Sequence, residues 1–266
     1  MPSKKRNKTK ELAARMKQKA EVPKGTAEKI EKTQKEPKKK ERCKTGIEGL
    51  DSVIEGGIPV GTLNLLSGYS GSGKATFAMQ FLYYGAQNGE PGLYISLEEE
   101  VDEVIEAMEM HWPDLRKLIK EKKLVVLRPE VYRFDVLKEL IEDEVEKMGA
   151  KRVVVNPFSF ITAYFESTYD VRKALSQLRT IMRKRGCTAL AISDVKEGER
   201  AFSASGFEEF VANGVFMLHL IAKSDQAIYV RALQIRKLDF TEHPLRLLPM
   251  EIKKEGIEVY PDAEIF

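Results

Sequence analysis

The chain has 266 residues, of which 42% are hydrophobic, enough for one large globular domain or two small ones. No apolar run approaches the roughly 18 residues that cross a bilayer, and the lysine-rich start lacks the apolar core of a secretory signal. The two cysteines, Cys43 and Cys187, show no metal-ligand spacing, so neither a disulfide framework nor a zinc site is expected. We therefore expect a cytoplasmic protein that makes no membrane contact.

The net charge of +3 combines a basic segment with an acidic one. Residues 1–44 contain 17 Lys and Arg against 6 Glu, a balance of +11, whereas the other 222 residues contain 27 against 35 Asp and Glu, a balance of −8. Because the basic segment has few apolar side chains to bury, we predict a flexible tail at 1–44 and a folded domain at 45–266. Two roles remain open for this tail: a solvated appendage, or a contact with nucleic acid or another acidic partner.

Apolar and amphipathic segments alternate along the predicted domain. Strands are predicted at 63–67, 93–97, 124–127, 152–155 and 188–192, and helices at 75–87, 99–109, 136–148 and 171–185. After residue 214 only strands follow, at 215–221, 227–235 and 247–252. This order predicts an α/β fold with a mostly parallel sheet, helices on both faces and a C-terminal antiparallel extension.

The first strand leads into a glycine-rich turn that fits the pattern G-x-x-x-x-G-K. In this pattern backbone N–H groups and a helix N-terminus surround phosphate oxygens, and the lysine contacts the β- and γ-phosphates. The alternative is a glycine-rich turn that binds nothing. The nucleotide-binding candidates are Gly68, Ser70, Gly71, Ser72, Gly73, Lys74, Ala75 and Thr76.

Two positions that usually hold Mg²⁺ depart from the pattern of a P-loop protein. Ala75 stands where a Ser or Thr hydroxyl would ligate the ion, and a methyl group offers no oxygen. The strand at 152–155 ends in Asn156, an uncharged amide, where an Asp is expected. We therefore predict a cradle that holds ATP or ADP but hydrolyses ATP poorly, with Mg²⁺ a doubtful cofactor and no protein-held metal site.

The chain resembles the KaiC-like branch of the RecA/RadA superfamily, in its single-domain archaeal form. The resemblance covers residues 45–263 and rests on five ordered motifs. They are TGIEGLDSVIEGGIPVGT at 45–62, the glycine-rich turn with its helix at 68–81, and the blocks at 92–99, 207–214 and 256–261. The resemblance implies a RecA-like P-loop fold that binds nucleotide, with a ring-shaped homo-oligomer or a related active chain as partner.

The resemblance also implies roles for four further residues. Glu98 and Glu99 match the paired glutamates that include the base for the attacking water, although they also suit an acidic helix start. Lys237 and His243 match residues that reach a phosphate across a ring interface, although they also suit a solvated strand face. The arginine of that motif is replaced by Asp239, which would repel a phosphate.

Three functions follow from these residues. The first is a nucleotide-dependent regulatory or binding module with weak or absent hydrolysis. The second is a working Mg-dependent ATPase of recombinase or KaiC type, in which phosphates and water hold most of the metal. The third is a nucleic-acid-binding accessory protein that uses the basic tail.

Overall fold

The computed structural model describes residues 40–130, 133–196, 201–222 and 229–265. By its internal contacts the chain divides into the units Met1–Lys40 and Glu41–Phe266. Nearly all of the first unit, and with it most of the predicted tail at 1–44, lies outside the described residues. Among the helices of the described segments, none is long and apolar enough to cross a membrane.

The second unit opens with a small antiparallel ribbon. Strand β1 (Arg42–Cys43) pairs with β2 (Ile58–Pro59), and a 3₁₀ helix (Asp51–Ile54) lies between them. Cys43 is buried and packs into the main core. The residues at 42–43 thus contribute to the fold.

Nine strands of the described residues form the main sheet. They are β3 (Leu63–Gly68), β4 (Gly92–Ser96), β5 (Leu124–Leu127), β6 (Arg152–Asn156), β7 (Thr188–Asp194), β8 (Gly214–Ala222), β9 (Tyr229–Leu238), β10 (Leu248–Lys253) and β11 (Gly256–Val259). Their spatial order is β11-β10-β9-β8-β3-β7-β6-β4-β5. The strands from β8 to β5 are parallel, whereas β9, β10 and β11 extend the sheet as antiparallel neighbours. The predicted fold class is therefore confirmed.

Helices cover both faces of the parallel part of the sheet. Their bounds are α1 (Lys74–Gln87), α2 (Val101–Glu109), α3 (Leu115–Lys120), α4 (Phe134–Met148), α5 (Phe158–Thr162), α6 (Thr168–Arg185) and α7 (Glu208–Val211). Alternate residues of each strand point to opposite faces. Accordingly, Val154 packs in one core with Phe81 of α1, and Val153 packs in the other with Leu178 of α6.

The longer elements match the predicted segments to within a few residues, but several short ones were not predicted. These are β1, β2, β11, α3, α5 and α7, none longer than six residues. Segments this short span less than two helical turns or only a few alternating positions, so their periodicity carries little information.

Candidate functional site

A cavity of about 410 Å³ lies where the strands β3, β4, β6 and β7 end and helix α1 begins. Ligands of open α/β sheets bind at this carboxyl edge because the loops there diverge to opposite faces. The lining residues are Ser70, Gly71, Gly73, Lys74, Ala75, Thr76, Glu98, Glu99, Asn156, Pro157, Asp194 and Ile252. Most of the residues predicted for the nucleotide site therefore lie around one cavity.

The glycine-rich turn has the backbone conformation that its glycines permit. Gly71 and Gly73 have φ values of 73° and 104°, in the left-handed region that side chains disfavour. A Cβ atom at Gly73 would also lie 2.8 Å from the Ile252 side chain. The turn is held from within by Ser72, a buried residue whose hydroxyl donates to the Tyr69 carbonyl at 2.7 Å. Its shape is thus fixed by its own contacts.

Lys74 is the first residue of α1 and has three acceptors around its ammonium group. Nζ donates to the carbonyl oxygens of Gly68 at 3.0 Å and Tyr69 at 2.9 Å. It also lies 3.1 Å from Oδ1 of Asp194, and only 10% of the lysine side chain is exposed. The cationic group that sequence analysis assigned to phosphate binding therefore lies at the cavity, paired with a carboxylate.

Asp194 is a residue of the site that sequence analysis missed. It ends β7, directly opposite Gly68 of β3 in the parallel register. Its Oδ2 accepts a hydrogen bond from Ser159 Oγ at 3.0 Å. The signal was available in the sequence, because Asp194 closely follows an apolar strand just as Asn156 does, and parallel strands end at the same edge.

Arg231 of β9 was also missed, and no pattern in the sequence points to it. Its guanidinium donates weakly to the carbonyl of Gly71, at 3.3 Å from Nη2. An antiparallel strand far along the chain brings this cation to the glycine-rich turn, so only the sheet order reveals it.

Glu98 and Glu99 lie in the loop between β4 and α2 and line the cavity. The helix start is capped by other residues, since the side chain of Glu103 accepts from the backbone N–H of Glu100 at 3.2 Å. Partial burial raises the pKa of Glu98 above its ordinary value, and the charges of Asp194 and Glu99 raise it further. Glu100 and Glu103 thus form the capping box of α2, and Glu98 and Glu99 are lining residues of the cavity.

The two positions where a P-loop protein usually has Mg²⁺ ligands have no carboxylate or hydroxyl. Ala75 is a lining residue next to Thr76, and its side chain packs against the main core. Asn156 also lines it, and its Nδ2 donates to the hydroxyl of Tyr94 at 2.6 Å. Burial raises the pKa of the Tyr94 phenol, which therefore stays neutral. Within the described ranges no group of three or more His, Cys, Asp or Glu side chains could hold a metal ion.

Lys237 and His243 do not line this cavity. Lys237 Nζ donates to the Ala212 carbonyl at 2.6 Å and lies 3.9 Å from Asp239, whose carboxylate accepts from Asn213 at 2.9 Å. His243 Nδ1 lies 3.3 Å from the Pro244 carbonyl. Their role across a ring interface stays a prediction.

A second cavity of about 390 Å³ lies at the opposite edge of the sheet, near the starts of β6 and β7. It is lined by side chains of both charges, among them Arg42, Glu90 and Lys151. The glycine-rich turn and the helix N-terminus that suit phosphates are at the other edge, so the first cavity is the candidate site.

Comparison with known proteins agrees with this geometry. A family model described as "ATPase: KaiC" matches residues 43–264. A UPF0273 protein of Pyrococcus furiosus is 34% identical over 83% of this chain and 94% of its own length. The circadian clock oscillator protein KaiC of Synechococcus elongatus is 32% identical over 83% of this chain, which spans 44% of that protein.

A solved structure agrees as well. The crystal structure of a KaiC-like protein from Pyrococcus horikoshii has a TM-score of 0.74 and 37% sequence identity, and the match covers 83% of this chain and 99% of that one. The resemblance found in the sequence motifs is therefore confirmed, and family membership supports binding of a nucleotide at the P-loop. The chain belongs to the KaiC family of P-loop ATPases.

Proposed function

We propose that the protein binds ADP or ATP at Lys74 and turns ATP over slowly or not at all, acting as a nucleotide-dependent regulatory module. The observation that carries this proposal is the contrast between two halves of one cavity. The phosphate half keeps its glycine-rich turn and its lysine. In the metal half, Ala75 has no side-chain oxygen and the Asn156 amide is hydrogen-bonded to Tyr94.

The phosphate half fits a nucleotide by its backbone geometry. The turn from Gly68 to Gly73 leads into the N-terminus of the 14-residue helix α1, whose dipole favours an anion. Lys74 lies at that helix end and is the cation that contacts terminal phosphates in proteins of this type. Arg231 adds a second positive charge beside Gly71.

The metal half does not fit a magnesium ion held by the protein. Mg²⁺ requires oxygen ligands in near-octahedral geometry, and a methyl group supplies none. The amide of Asn156 is uncharged, and its nitrogen is engaged with Tyr94. A magnesium ion bound with the nucleotide would find no hydroxyl at position 75 and no carboxylate at position 156, so the γ-phosphate would be oriented less well and hydrolysis would be slow.

The trans contact expected for an active ring also lacks its arginine. Asp239 stands where the family motif has an arginine, and it is bonded to Asn213 of the same chain. An arginine that stabilises transition-state charge contributes about 10³-fold or more to the rate. We propose that the chain assembles as a ring or pairs with an active relative. In that assembly the subunit interface would respond to the bound nucleotide, and this chain would not cleave the nucleotide.

One observation favours the second candidate, a working Mg-dependent ATPase. Glu98 and Glu99 both line the cavity, and the raised pKa of Glu98 suits a group that accepts a proton from water. In this alternative, one of these glutamates would activate the attacking water, while phosphates and water would supply most ligands of a bound metal.

A nucleotide titration followed by a turnover assay separates the two candidates. Under the first, calorimetry detects binding of ADP and ATP in EDTA, added Mg²⁺ changes the affinity little, and phosphate release stays at background. Under the second, millimolar Mg-ATP is hydrolysed and Glu98→Gln abolishes release. Absence of both heat and thermal shift with millimolar ADP and ATP would reject nucleotide binding altogether.

A further inference from the structure

The ammonium group of Lys74 has as many acceptors as it has hydrogens. An ammonium carries three N–H donors. The three acceptors are the carbonyls of Gly68 and Tyr69 and the carboxylate of Asp194, all within 3.1 Å. A phosphate oxygen therefore gains a full hydrogen bond from Lys74 only if one of these acceptors is replaced.

The two carbonyl acceptors belong to backbone that other contacts hold in place. The Gly68 carbonyl also accepts from the backbone N–H of Val195 at 3.2 Å. The Tyr69 carbonyl accepts from both the backbone N–H and the hydroxyl of Ser72, at 3.2 and 2.7 Å. Moving either carbonyl would disrupt the turn that forms the cradle.

Asp194 is the acceptor whose side chain can move away from Lys74. Its side chain is 52% exposed, and a rotation about its side-chain bonds takes the carboxylate towards solvent without moving the backbone of β7. Two contacts hold it in place, the ion pair with Lys74 and the hydrogen bond from Ser159 Oγ. Half-exposed ion pairs are weak because water screens them, so a phosphate can outcompete this one.

If nucleotide binds as proposed above, we propose that Asp194 is a built-in competitor for its terminal phosphates and sets the affinity of the site. Its carboxylate pairs with Lys74 at 3.1 Å, and on nucleotide binding a phosphate takes its place. The displaced carboxylate stays close to the phosphates and repels them. Glu98 and Glu99 line the same cavity, so phosphate binding occurs against three nearby negative charges.

The competition depends on which phosphates a ligand carries. The lysine of a P-loop reaches the β- and γ-phosphates. ADP and ATP must therefore displace Asp194, whereas AMP has no phosphate at that distance. Asp194 thereby weakens binding of the di- and triphosphate without changing that of the monophosphate.

The test compares Asp194→Asn with the unmodified full-length chain by calorimetry in EDTA. The asparagine keeps the size of the side chain and an oxygen for Ser159, but loses the charge. Affinity for ADP and ATP should rise by about two- to fivefold, as expected when a screened ion pair no longer competes. AMP affinity should not change.

The matched control is Asp135→Asn. Asp135 is 56% exposed and pairs with Arg133 at 2.6 Å, at the start of α4 and outside the candidate cavity. Its substitution changes the net charge by the same amount, so ADP affinity should stay as in the unmodified chain. Thermal unfolding confirms that both variants are folded.

Three results would overturn the inference. ADP affinity could be unchanged in Asp194→Asn, or it could rise equally in Asp135→Asn, which would mean a long-range charge effect. ADP affinity could also fall in Asp194→Asn when Mg²⁺ is present and not in EDTA, which would identify Asp194 as a metal ligand. If neither the unmodified chain nor the variants bind ADP, the proposed function itself fails. If the unmodified chain and Asp194→Asn bind ADP with equal affinity, only the role of Asp194 is rejected.

Discussion

The side-chain amide of Asn156 donates a hydrogen bond to the Tyr94 hydroxyl at 2.6 Å, at the end of two neighbouring parallel strands. The same strand ends are joined by a backbone bond from Leu97 to the Asn156 carbonyl at 2.7 Å. Tyr94 is buried, so it fixes the amide in position. The strand end that would hold a metal-binding carboxylate is therefore occupied by a neutral, internally bonded pair.

Restoring both metal ligands should make ATP binding and hydrolysis depend on Mg²⁺. In Ala75→Thr with Asn156→Asp, the new hydroxyl and carboxylate supply oxygen ligands for Mg²⁺, and the Tyr94 hydroxyl can donate to the new carboxylate. We expect Mg²⁺ to raise ATP affinity more in the double variant than in the unmodified chain, and phosphate release to rise above background. Single variants serve as controls, and robust turnover by the unmodified chain would contradict the prediction.

Lys74→Ala should weaken binding of ADP and ATP by at least tenfold, about 1.4 kcal/mol. The substitution removes the cation at the cavity and leaves the backbone turn in place. Lys123→Ala is the control, because Lys123 pairs with Glu121 just before β5, away from the carboxyl ends of the strands. Calorimetry measures both, and equal affinity in the two variants would exclude a role for Lys74.

Two truncations should show where the basic tail ends and the folded unit begins. Removal of residues 1–40 should change the unfolding temperature by less than about 2 °C, since the contacts of the second unit begin at Glu41. Removal of residues 1–44 also deletes Arg42, which bonds to Thr241 and Glu55, and the buried Cys43. We expect it to lower the unfolding temperature by about 5 °C or more, measured by calorimetric scanning. Equal unfolding temperatures would show that β1 contributes nothing to stability.

The tail should supply whatever nucleic-acid affinity the protein has. Residues 1–40 carry 15 Lys and Arg against 5 Glu, whereas the chain beyond residue 44 has a balance of −8 and repels a polyanion. At low salt we expect weak binding to duplex DNA without sequence preference, with a steep loss of affinity as salt rises. The chain lacking residues 1–40 should lose this binding and keep its ADP affinity. Undiminished DNA binding would instead locate the contact on the folded unit.

Glu98 should make stability depend on pH in a defined direction. Its pKa is raised in the folded state, so the folded protein binds this proton more tightly than the unfolded chain does. Stability from this group is therefore present below its ordinary value of 4.5 and is lost as the pH rises through the raised value. Glu98→Gln should be more stable than the unmodified chain near pH 7, with the difference vanishing as the pH falls to 4. Glu209→Gln, outside the cavity, is the comparison. Parallel curves for Glu98→Gln and the unmodified chain would contradict the prediction.

The sequence by itself determined the sheet, the turn and the helix that follows it. Each of these depends on local pattern: an unbroken apolar run for a strand buried on both faces, glycines where φ is positive, and a lysine at a helix start. The departures from the P-loop pattern at Ala75 and Asn156 could also be recognised in the sequence, because a short spacing from those elements sets their positions.

Tertiary structure alone decided which charges face one another. The pairing of Lys74 with Asp194 joins residues 120 positions apart and depends on β7 lying beside β3, while Arg231 reaches Gly71 only because β9 follows β8 in the sheet. Strand order is fixed by packing of whole faces against helices, which no local pattern encodes. For the same reason the environment of Glu98 could not be derived from its own segment, since burial and the charge of Asp194 raise its pKa from across the cavity.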